Sequence, residues 1–525
     1  MFSEKINRYI YLFGIVGLAF GVTLGAVPTS IPEIILLGNW LIELNFKNKW
    51  QQLKSNKIFW VIVSVYLLHF IGLLYSKDLK AAWDDLLIKF PLLLLPMVFF
   101  SAKPLSLKEF YVLLQCFILG SLLSTAWCLV YNFILHHNEV VRNVSRFMSH
   151  IRLGLYINMA IAISIYFVFK TQGFIKKTGF LLLAFYFVAV LVLLGLASGL
   201  MYCFILISGA LFYLIYKQGM MVKLSALVLL IGLTWFVGDY IRDVNNEQLE
   251  VKQNTYNQKQ QMSKGGNLYL HFDTLGQKEN GNMVLMNIQL EELQRGWKRL
   301  APTDSFDYGK AHHLKRYEVL VRYLSSKSLS KDSAGIAQLN ESDIHNIQLD
   351  VTNYKYPEWN YLHQRVYELV NEYDEFQNNR QINGHSLTMR LYFWKAALHI
   401  IKSHWLIGIG GGDTQAELTK TYVETHSPLE PAWYKRPHNQ FLSFMVSYGL
   451  IGLIVFLGSI FYPIVKLRDT LPKLFWPFFV LAMTSFILED TLETQAGVTF
   501  YAFFLSLFLS VAFFRRGLGL VGKTK

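Results

Sequence analysis

An imidazole and three guanidinium groups lie next to apolar segments of the sequence. His438 opens the run HNQFLSFMVSYGLIGL, Arg436 lies just before it, Arg390 opens RLYFWKAALHIIKSHWLIGIGGGD, and Arg152 begins another apolar block. A guanidinium group matches pairs of phosphate oxygens, and an imidazole can accept a proton near neutral pH or bind an anion as a cation. These residue types suit a site that binds phosphate and moves a proton, with both roles open for His438.

Each of these residues also has a purely structural explanation. Arg152 can extend to the lipid interface as an anchoring residue. Arg390 can be a surface charge on an amphipathic helix, and His438 can be a helix cap. The sequence context must therefore decide between function and structure.

Three carboxylates follow a late apolar block in the run EDTLETQAG, namely Glu489, Asp490 and Glu493. A charge at the bilayer midplane costs about 2.5–3.5 kcal/mol and less toward the edge, so such groups need partners. We expect these three to orient His438 or to pair with the arginines, because like charges disfavour a phosphate contact. A solvated turn is the alternative.

The elements that carry these residues are expected to be membrane helices. The 525 residues are 53% hydrophobic and only 16% charged, below the quarter that is usual in soluble domains. Apolar blocks of about 18 residues can cross a hydrocarbon core as helices. Twelve such blocks lie near residues 9–26, 30–45, 58–75, 87–102, 109–135, 152–169, 178–196, 199–216, 223–238, 439–465, 473–488 and 497–514.

The sequence therefore predicts an all-α polytopic membrane protein in three parts. Residues 1–238 hold helices one to nine, 239–437 form a large loop, and 438–525 hold helices ten to twelve. Lys and Arg concentrate in the short segments that are internal if the amino terminus is cytoplasmic, which favours this orientation. Both termini are then cytoplasmic and the loop is periplasmic. The same rule explains the net charge of +13 without nucleic acid.

Few basic residues fall on the predicted outer face, and those near Arg152 form a cluster. The cluster comprises Arg142, Arg146 and His150. It favours a functional role for Arg152, and Arg322 in the loop is a further candidate. The cysteines Cys116, Cys128 and Cys203 all fall inside apolar blocks, so no disulfide framework is indicated.

The loop has local patterns of its own. Residues 267–290 predict a β-hairpin around a Gly/Asn turn, and 317–327 and 361–376 predict helices. The segment 390–407 predicts an amphipathic helix at the membrane surface, because Leu391, Trp394, Leu398 and Ile401 recur at helical spacing.

The run GIGGGD, which contains Gly410 and Asp413, follows that helix. A dinucleotide-binding loop would need a strand before it. The run therefore favours a close-approach turn, whose amides reach a ligand or a neighbouring helix.

Two motifs resemble the O-antigen ligase and O-antigen polymerase superfamily. His438, Asn439, Gly449 and Gly452 fill its His-Asn, Gly and Gly positions, and an upstream Arg-x-x-x-Trp helix precedes a Gly-x-Gly turn. Twelve helices with a large outer loop between the ninth and tenth match its layout, which is of the GT-C type.

The resemblance implies a metal-independent glycosyltransferase without a cofactor. Such an enzyme moves a glycan from undecaprenyl diphosphate to an acceptor hydroxyl, on lipid A-core or a similar glycan or lipid, at the outer face of the bacterial inner membrane. The catalytic residues would be His438, Arg390 and Arg152, with Glu489, Asp490 and Glu493 in support. Substrate binding would involve Arg436, Asn439, Arg146, His150, Trp394, Gly410 and Asp413.

The chain departs from the family between the seventh and eighth predicted helices. Relatives commonly have Ser-Arg there, whereas this chain reads LASGLMY, with Gly199 after Ser198. Either Arg152 supplies the missing charge or the activity is altered.

Other functions remain open. A polysaccharide polymerase and a protein O-oligosaccharyltransferase share the fold and chemistry, and differ in their acceptor. A transporter or lipid flippase would carry charges along helix midsections, which the sequence does not show, and a membrane scaffold would not need His438. The glycosyltransferase hypothesis requires that Arg390 and His438 lie close together at the outer rim of the membrane.

Overall fold

The computed structural model describes residues 4–135, 145–217, 219–249, 257–272, 277–304, 311–377 and 382–518. The chain is mostly helical. The helices before the large loop are α1 (Glu4–Gly21), α2 (Ala26–Ile42), α3 (Phe46–Lys54), α4 (Lys57–Leu73), α5 (Leu79–Ile88), α6 (Pro91–Ser101), α7 (Leu107–Val130), α8 (His150–Lys170), α9 (Phe174–Leu193), α10 (Ala197–Lys217) and α11 (Met220–Leu249).

The remaining elements form the loop and the carboxyl-terminal helices. They are β1 (Lys278–Glu279), β2 (Asn282–Met283), α12 (Leu290–Leu300), α13 (Ala311–Ser326), α14 (Ser333–Ile336), α15 (Glu341–Gln348), α16 (Tyr361–Gln377), α17 (Thr388–Ser403), α18 (Thr414–Glu424), α19 (Gln440–Leu467), α20 (Phe475–Leu488) and α21 (Gln495–Gly517).

The protein is a helical membrane protein. Within the described residues, fewer helices than the twelve predicted spans are both long enough and apolar enough to cross a membrane alone. A helix lies in each predicted block, yet only six in the described part of the chain are long and apolar enough to cross a membrane alone. A seventh arises if α3 and α4, bent by 93°, form one span. Helices α2 and α20 and the apolar part of α10 are shorter. The twelve-span count thus stays a prediction.

The core of the membrane part surrounds α21, which is apolar on all sides and mostly buried. Phe500, Phe504 and Phe508 follow one another at four-residue spacing, with ring centroids 5.1 and 5.7 Å apart. Phe117 of α7 lies 5.0 Å and Phe478 of α20 lies 5.8 Å from Phe504. A helix that is hydrophobic all round is expected at the centre of a bundle. Helices α9 to α11 instead expose large apolar side chains, as lipid-facing helices do.

The loop folds into a small domain with a short hairpin and two helices in the predicted segments, together with α12, α14 and α15, which the sequence patterns do not predict. Strands β1 and β2 pair antiparallel around Asn280 and Gly281, which have φ values of 49° and 76°. Asn-Gly favours such two-residue turns because both residues tolerate positive φ. Helices α13 and α16 cover the two segments predicted as helical.

Helix α17 is shorter than the predicted 390–407 and packs on a different face. It ends at Ser403, and residues 404–407 leave the helix for the glycine turn. Phe393, Ala397 and Ile400 are buried, whereas Leu391 and Leu398 are exposed. Half of the predicted stripe, Leu391 and Leu398, thus forms an exposed apolar edge that fits a membrane surface. The other half, Trp394 and Ile401, is partly buried against the core that contains Phe393 and Ala397.

The glycine turn docks onto a break in α19. Gly449 has φ 62° and interrupts the helix. The turn and the break exchange backbone hydrogen bonds, from Gly410 N to Ser447 O at 2.9 Å and from Leu450 N to Trp405 O at 2.7 Å. A Cβ on Gly449 would lie 2.3 Å from the carbonyl carbon of Leu406. The turn therefore reaches a neighbouring helix, as the sequence suggested.

Gly449→Ala is expected to destabilise the protein strongly. A left-handed backbone costs a non-glycine residue about 1–2 kcal/mol, and the clash with Leu406 adds to this. Thermal unfolding in detergent, followed by circular dichroism, measures the loss. The matched control is Gly458→Ala in the same helix, where a Cβ meets nothing within 4 Å. Equal midpoints for the two variants would contradict the docking role of Gly449.

Candidate functional site

His438 stands at the start of α19 in a rare backbone conformation. Its φ is 49°, in the left-handed region. Asn439 caps the helix, since its side-chain oxygen accepts from Leu442 N at 3.0 Å, while its Nδ2 donates to Ile487 O at 3.0 Å. Trp394 Nε1 of α17 donates to Pro437 O at 2.9 Å. Non-glycine residues held at positive φ by their surroundings often occur at functional sites.

Glu489 brings Arg390 and His438 together. Arg390 Nη2 lies 2.6 Å from Glu489 Oε1, and His438 Nδ1 lies 3.0 Å from Glu489 Oε2. The Asp490 carboxylate lies 3.5 Å from the same imidazole nitrogen. The close approach of Arg390 and His438 that the sequence hypothesis requires is therefore present.

The pKa of His438 is raised by these acids. Desolvation lowers the pKa, but hydrogen bonds to Asp490 and Glu489 and the charges of both carboxylates outweigh it and raise the pKa to about 9. His438 is then an imidazolium at neutral pH. Of the two roles left open by the sequence, this favours binding an anion over accepting a proton.

Arg152 is buried beside the turn that carries Glu489, Asp490 and Glu493, called the carboxylate turn below, but its guanidinium faces neutral oxygens. Its Nε lies 3.3 Å from Thr494 Oγ1, its Nη1 3.4 Å from Thr491 Oγ1, and its Nη2 3.5 Å from Asp490 O. The side chain is buried. In the described part of the chain no Asp or Glu forms an ion pair with it. A buried charge without a counter-charge is costly, so its positive charge is available to an anion.

A second ion cluster surrounds Glu493. Lys89 Nζ lies 2.9 Å from Glu493 Oε2, Arg436 pairs with the same oxygen, and Gln440 Nε2 donates to Oε1 at 3.1 Å. Burial raises the pKa of Glu493, but the charges of Lys89 and Arg436 lower it more, to well below its ordinary value. Glu493 therefore stays ionised and holds both cations in place.

Gly199, at the position where the resemblance implies an arginine, allows helices α8 and α10 to approach closely. A Cβ on Gly154 of α8 would lie 2.8 Å from the Cα of Gly199 of α10. Asn158 Nδ2 donates to both glycine carbonyls at 2.8 Å. A long side chain at 199 would force the helices apart. The close contact also fixes α8, which carries Arg152 two residues before Gly154.

The other predicted binding residues make local contacts. Arg146 lies with its guanidinium 3.4 Å from the ring centroid of Tyr131. His150 is the first residue of α8.

Asp413 accepts hydrogen bonds from the backbone of Lys77 and Asp78, before α5. A Cβ on Gly410 would meet Ser76 Oγ at 2.5 Å. These contacts give both residues a structural explanation. Arg322 lies in the loop domain, 2.5 Å from Glu279, and Arg142 lies outside the described residues.

The carboxylate turn, together with His438, also has the types of ligand atoms that a metal cation binds. One potential ligand atom each from His438, Glu489 and Asp490 lies within 4.8 Å of the others. Arg390 is already paired with Glu489 of this set, so a metal ion there would compete with that guanidinium. Chelation is the direct test and is described below.

The comparison with protein families settles the relationship of this region. The model of a family described as O-antigen ligase matches residues 347–457. This segment is similar to the O-antigen ligase family. Comparison with curated proteins gave no significant match. Residues 347–457, called the ligase segment below, contain Arg390, Arg436, His438, Gly449 and Gly452. The match confirms the resemblance seen in the two motifs.

The matched segment is similar to membrane enzymes of the ligase or polymerase type. Part of the candidate site lies outside the ligase segment, because Arg152 precedes it and the carboxylate turn follows it.

Sequence reasoning missed three residues of the site. Lys89 pairs with Glu493, and the side-chain oxygen of Gln440 accepts from Leu492 N at 2.7 Å. Tyr202 is fully buried, its hydroxyl has no hydrogen-bond partner in the described residues, and it lies within electrostatic range of Arg152 and Glu489. Only Gln440, in the His-Asn motif itself, carried a sequence signal.

Proposed function

We propose that the protein is a glycosyltransferase of the O-antigen ligase type. It transfers a glycan from undecaprenyl diphosphate to an acceptor hydroxyl at the outer face of the bacterial inner membrane. The acceptor is lipid A-core or a similar glycan or lipid. Both termini are cytoplasmic and the loop domain is periplasmic in this proposal.

The observation that carries the proposal is the buried Arg152 guanidinium. Among the described residues it has no carboxylate partner, and it lies beside the turn that joins Arg390 and His438. An uncompensated buried cation is costly unless an anion binds to it. A diphosphate supplies such an anion, and a guanidinium fork fits its oxygens in pairs. Arg152 thus supplies the charge that the arginine at the Gly199 position would give.

The proposed reaction breaks one bond and forms another. The acceptor oxygen attacks the anomeric carbon of the donor sugar, the bond between that carbon and the diphosphate oxygen breaks, and the electron pair leaves with undecaprenyl diphosphate. The proton of the acceptor hydroxyl passes to an oxygen of the departing diphosphate. Negative charge grows on the leaving group, and fixed cations nearby stabilise this charge in the transition state.

Each charged residue has a defined part in this proposal. Arg152, Arg390 and the imidazolium of His438 contact the diphosphate. Glu489 positions Arg390 and His438, and Asp490 keeps His438 protonated. Glu493 holds both Arg436 and Lys89, and Asp85 also pairs with Lys89, so this charge-balanced cluster fixes Arg436 two residues before His438.

Transfer is expected to proceed in the presence of EDTA, because the guanidinium groups and imidazolium take the place of a metal. The assay uses purified protein in detergent, an undecaprenyl-diphosphate-linked glycan and a panel of candidate acceptors, with product followed by mass spectrometry. The product names the acceptor and so separates ligase, polymerase and protein glycosyltransferase. Activity that vanishes on chelation and returns with a divalent cation would instead assign the His438, Glu489 and Asp490 set to a metal.

A further inference from the structure

A cavity of about 560 Å³ lies between the loop domain and the ends of the membrane helices. This volume is within the range of about 300–1,000 Å³ that small-molecule sites occupy. Phe133, after α7, and Leu193, at the end of α9, form its membrane side, and residues of α16 and of the segment before it form much of the rest. None of the residues assigned above to diphosphate binding lines it.

Aromatic rings and polar groups share the wall of this cavity. Tyr356, Trp359 and Tyr361 line it, with the Trp359 ring centroid 5.8 Å from that of Tyr356 and the Tyr361 centroid 5.7 Å from that of Phe133. Asn360 and Gln364 line it as well. Rings that pack on the apolar faces of a sugar, with amides and carboxylates that bond its hydroxyls, are the chemistry of a saccharide site.

The charge of the wall argues against an anionic occupant. Five lining residues are acidic: Glu318, Asp350, Glu368, Glu372 and Glu375. The lining arginines are already paired, Arg365 with Glu368 at 2.7 Å and Arg322 with Glu279 at 2.5 Å, and the His385 imidazole lies 2.5 Å from Glu375. A diphosphate would meet net negative charge here, whereas the hydroxyls of an uncharged sugar can donate to the carboxylates.

The wall is held in shape by hydrogen bonds behind it. Gln364 Nε2 donates to the carbonyls of Tyr356 and Trp359, at 2.5 and 3.2 Å. The Tyr367 hydroxyl is buried against Glu279 and Asn280. A preformed wall lowers the ordering cost of binding.

One lining residue connects the cavity to the candidate active site. Glu372 Oε1 accepts the backbone N–H groups of Leu387 and Thr388, the latter at 3.0 Å, at the start of α17. Arg390 follows two residues later in the same helix. The cavity therefore adjoins the helix that presents Arg390.

We infer that this cavity binds an uncharged oligosaccharide portion of the acceptor. That the saccharide belongs to the acceptor rests on the proposed function, whereas saccharide binding by the cavity does not. The donor diphosphate and the acceptor sugar then occupy separate sites of opposite charge on the two sides of the α17 amino terminus.

The test is binding of the detergent-solubilised full chain to an array of neutral and acidic oligosaccharides from bacterial surface polysaccharides. At least one neutral oligosaccharide should be retained, and acidic ones should bind more weakly. Trp359→Ala and Glu368→Ala should each weaken retention at least about 10-fold, with unfolding midpoints measured to confirm that they fold. Trp405→Ala, which alters an exposed tryptophan outside the cavity, is the matched control and should bind normally.

A His438→Asn variant separates this inference from the proposed function. It should bind the oligosaccharide as the parent protein does, even if the parent proves to have no transferase activity. If transfer does occur, Trp359→Ala should raise the KM for the acceptor and leave the KM for the donor unchanged. Absence of any neutral ligand, or equal retention by Trp359→Ala and Glu368→Ala, would overturn the assignment.

Discussion

Arg152→Gln is expected to slow glycan transfer by about 100-fold or more without loss of the fold. Removing one preorganised donor to a developing negative charge typically costs about 10²–10³ in rate. The same change removes a buried guanidinium that has only neutral partners at 3.3–3.5 Å. Because that charge lacks compensation, the variant should be as stable as the parent or more stable. Initial transfer rates and thermal unfolding, measured on the same preparations, give both quantities.

Two further variants sharpen this result. Arg152→Lys keeps the charge but loses the paired donors, so it should recover part of the rate. Arg468→Gln removes an exposed arginine on the predicted cytoplasmic side and should leave the rate unchanged. A marked loss of stability in Arg152→Gln with normal transfer would show that Arg152 is a structural anchor.

Transfer activity is expected to fall as the pH rises through about 9, because His438 then loses its proton. The pKa of His438 is raised from 6.5 to about 9. A group whose pKa is raised in the folded protein adds stability in full below pH 6.5, and this contribution is lost as the pH rises through about 9. Stability should therefore decline between pH 6.5 and about 9, and activity should fall as the pH passes through about 9. The measurement is the rate of transfer between pH 6 and 10 with saturating donor.

Asp490→Asn tests the cause of this pH dependence. It removes one of the two carboxylates that raise the pKa of His438 while Glu489 still holds Arg390. The decline in activity should then begin at a lower pH. His438→Asn should lower activity and abolish the titration, and asparagine tolerates the positive φ at this position. Activity that increases from pH 7 to 9 in the parent, and not in His438→Asn, would identify neutral imidazole as a base.

Much of the fold follows from local patterns in the sequence. A helix lies in each apolar block because a run of apolar residues in lipid must satisfy its own backbone groups. The hairpin at Asn280 and Gly281 follows from the positive φ that these residues tolerate. Helix α17 ended earlier than predicted because apolar periodicity continued into residues that instead pair with the break at Gly449.

The contacts of the candidate site could not be read from the sequence. Asp413 and Trp394 carry functional groups that suit a ligand, yet their hydrogen bonds are to backbone groups of distant segments. Lys89 has a local ion-pair partner in Asp85, but the contact that brings it to the candidate site is with Glu493, which lies 404 residues further along the chain. Chemical type is visible in a sequence, whereas the partner of a side chain depends on which helices pack together.

The sequence by itself determined that this is a helical membrane protein with a ligase motif, because hydrophobicity and motif spacing are properties of neighbouring residues. Only the tertiary structure decided that Arg390 and His438 share Glu489, that Arg152 is buried without a carboxylate, and that a sugar-sized cavity adjoins α17. These features arise from helix packing between residues far apart in the chain. Close contacts such as Gly154 on Gly199 set that packing, and no local pattern specifies it.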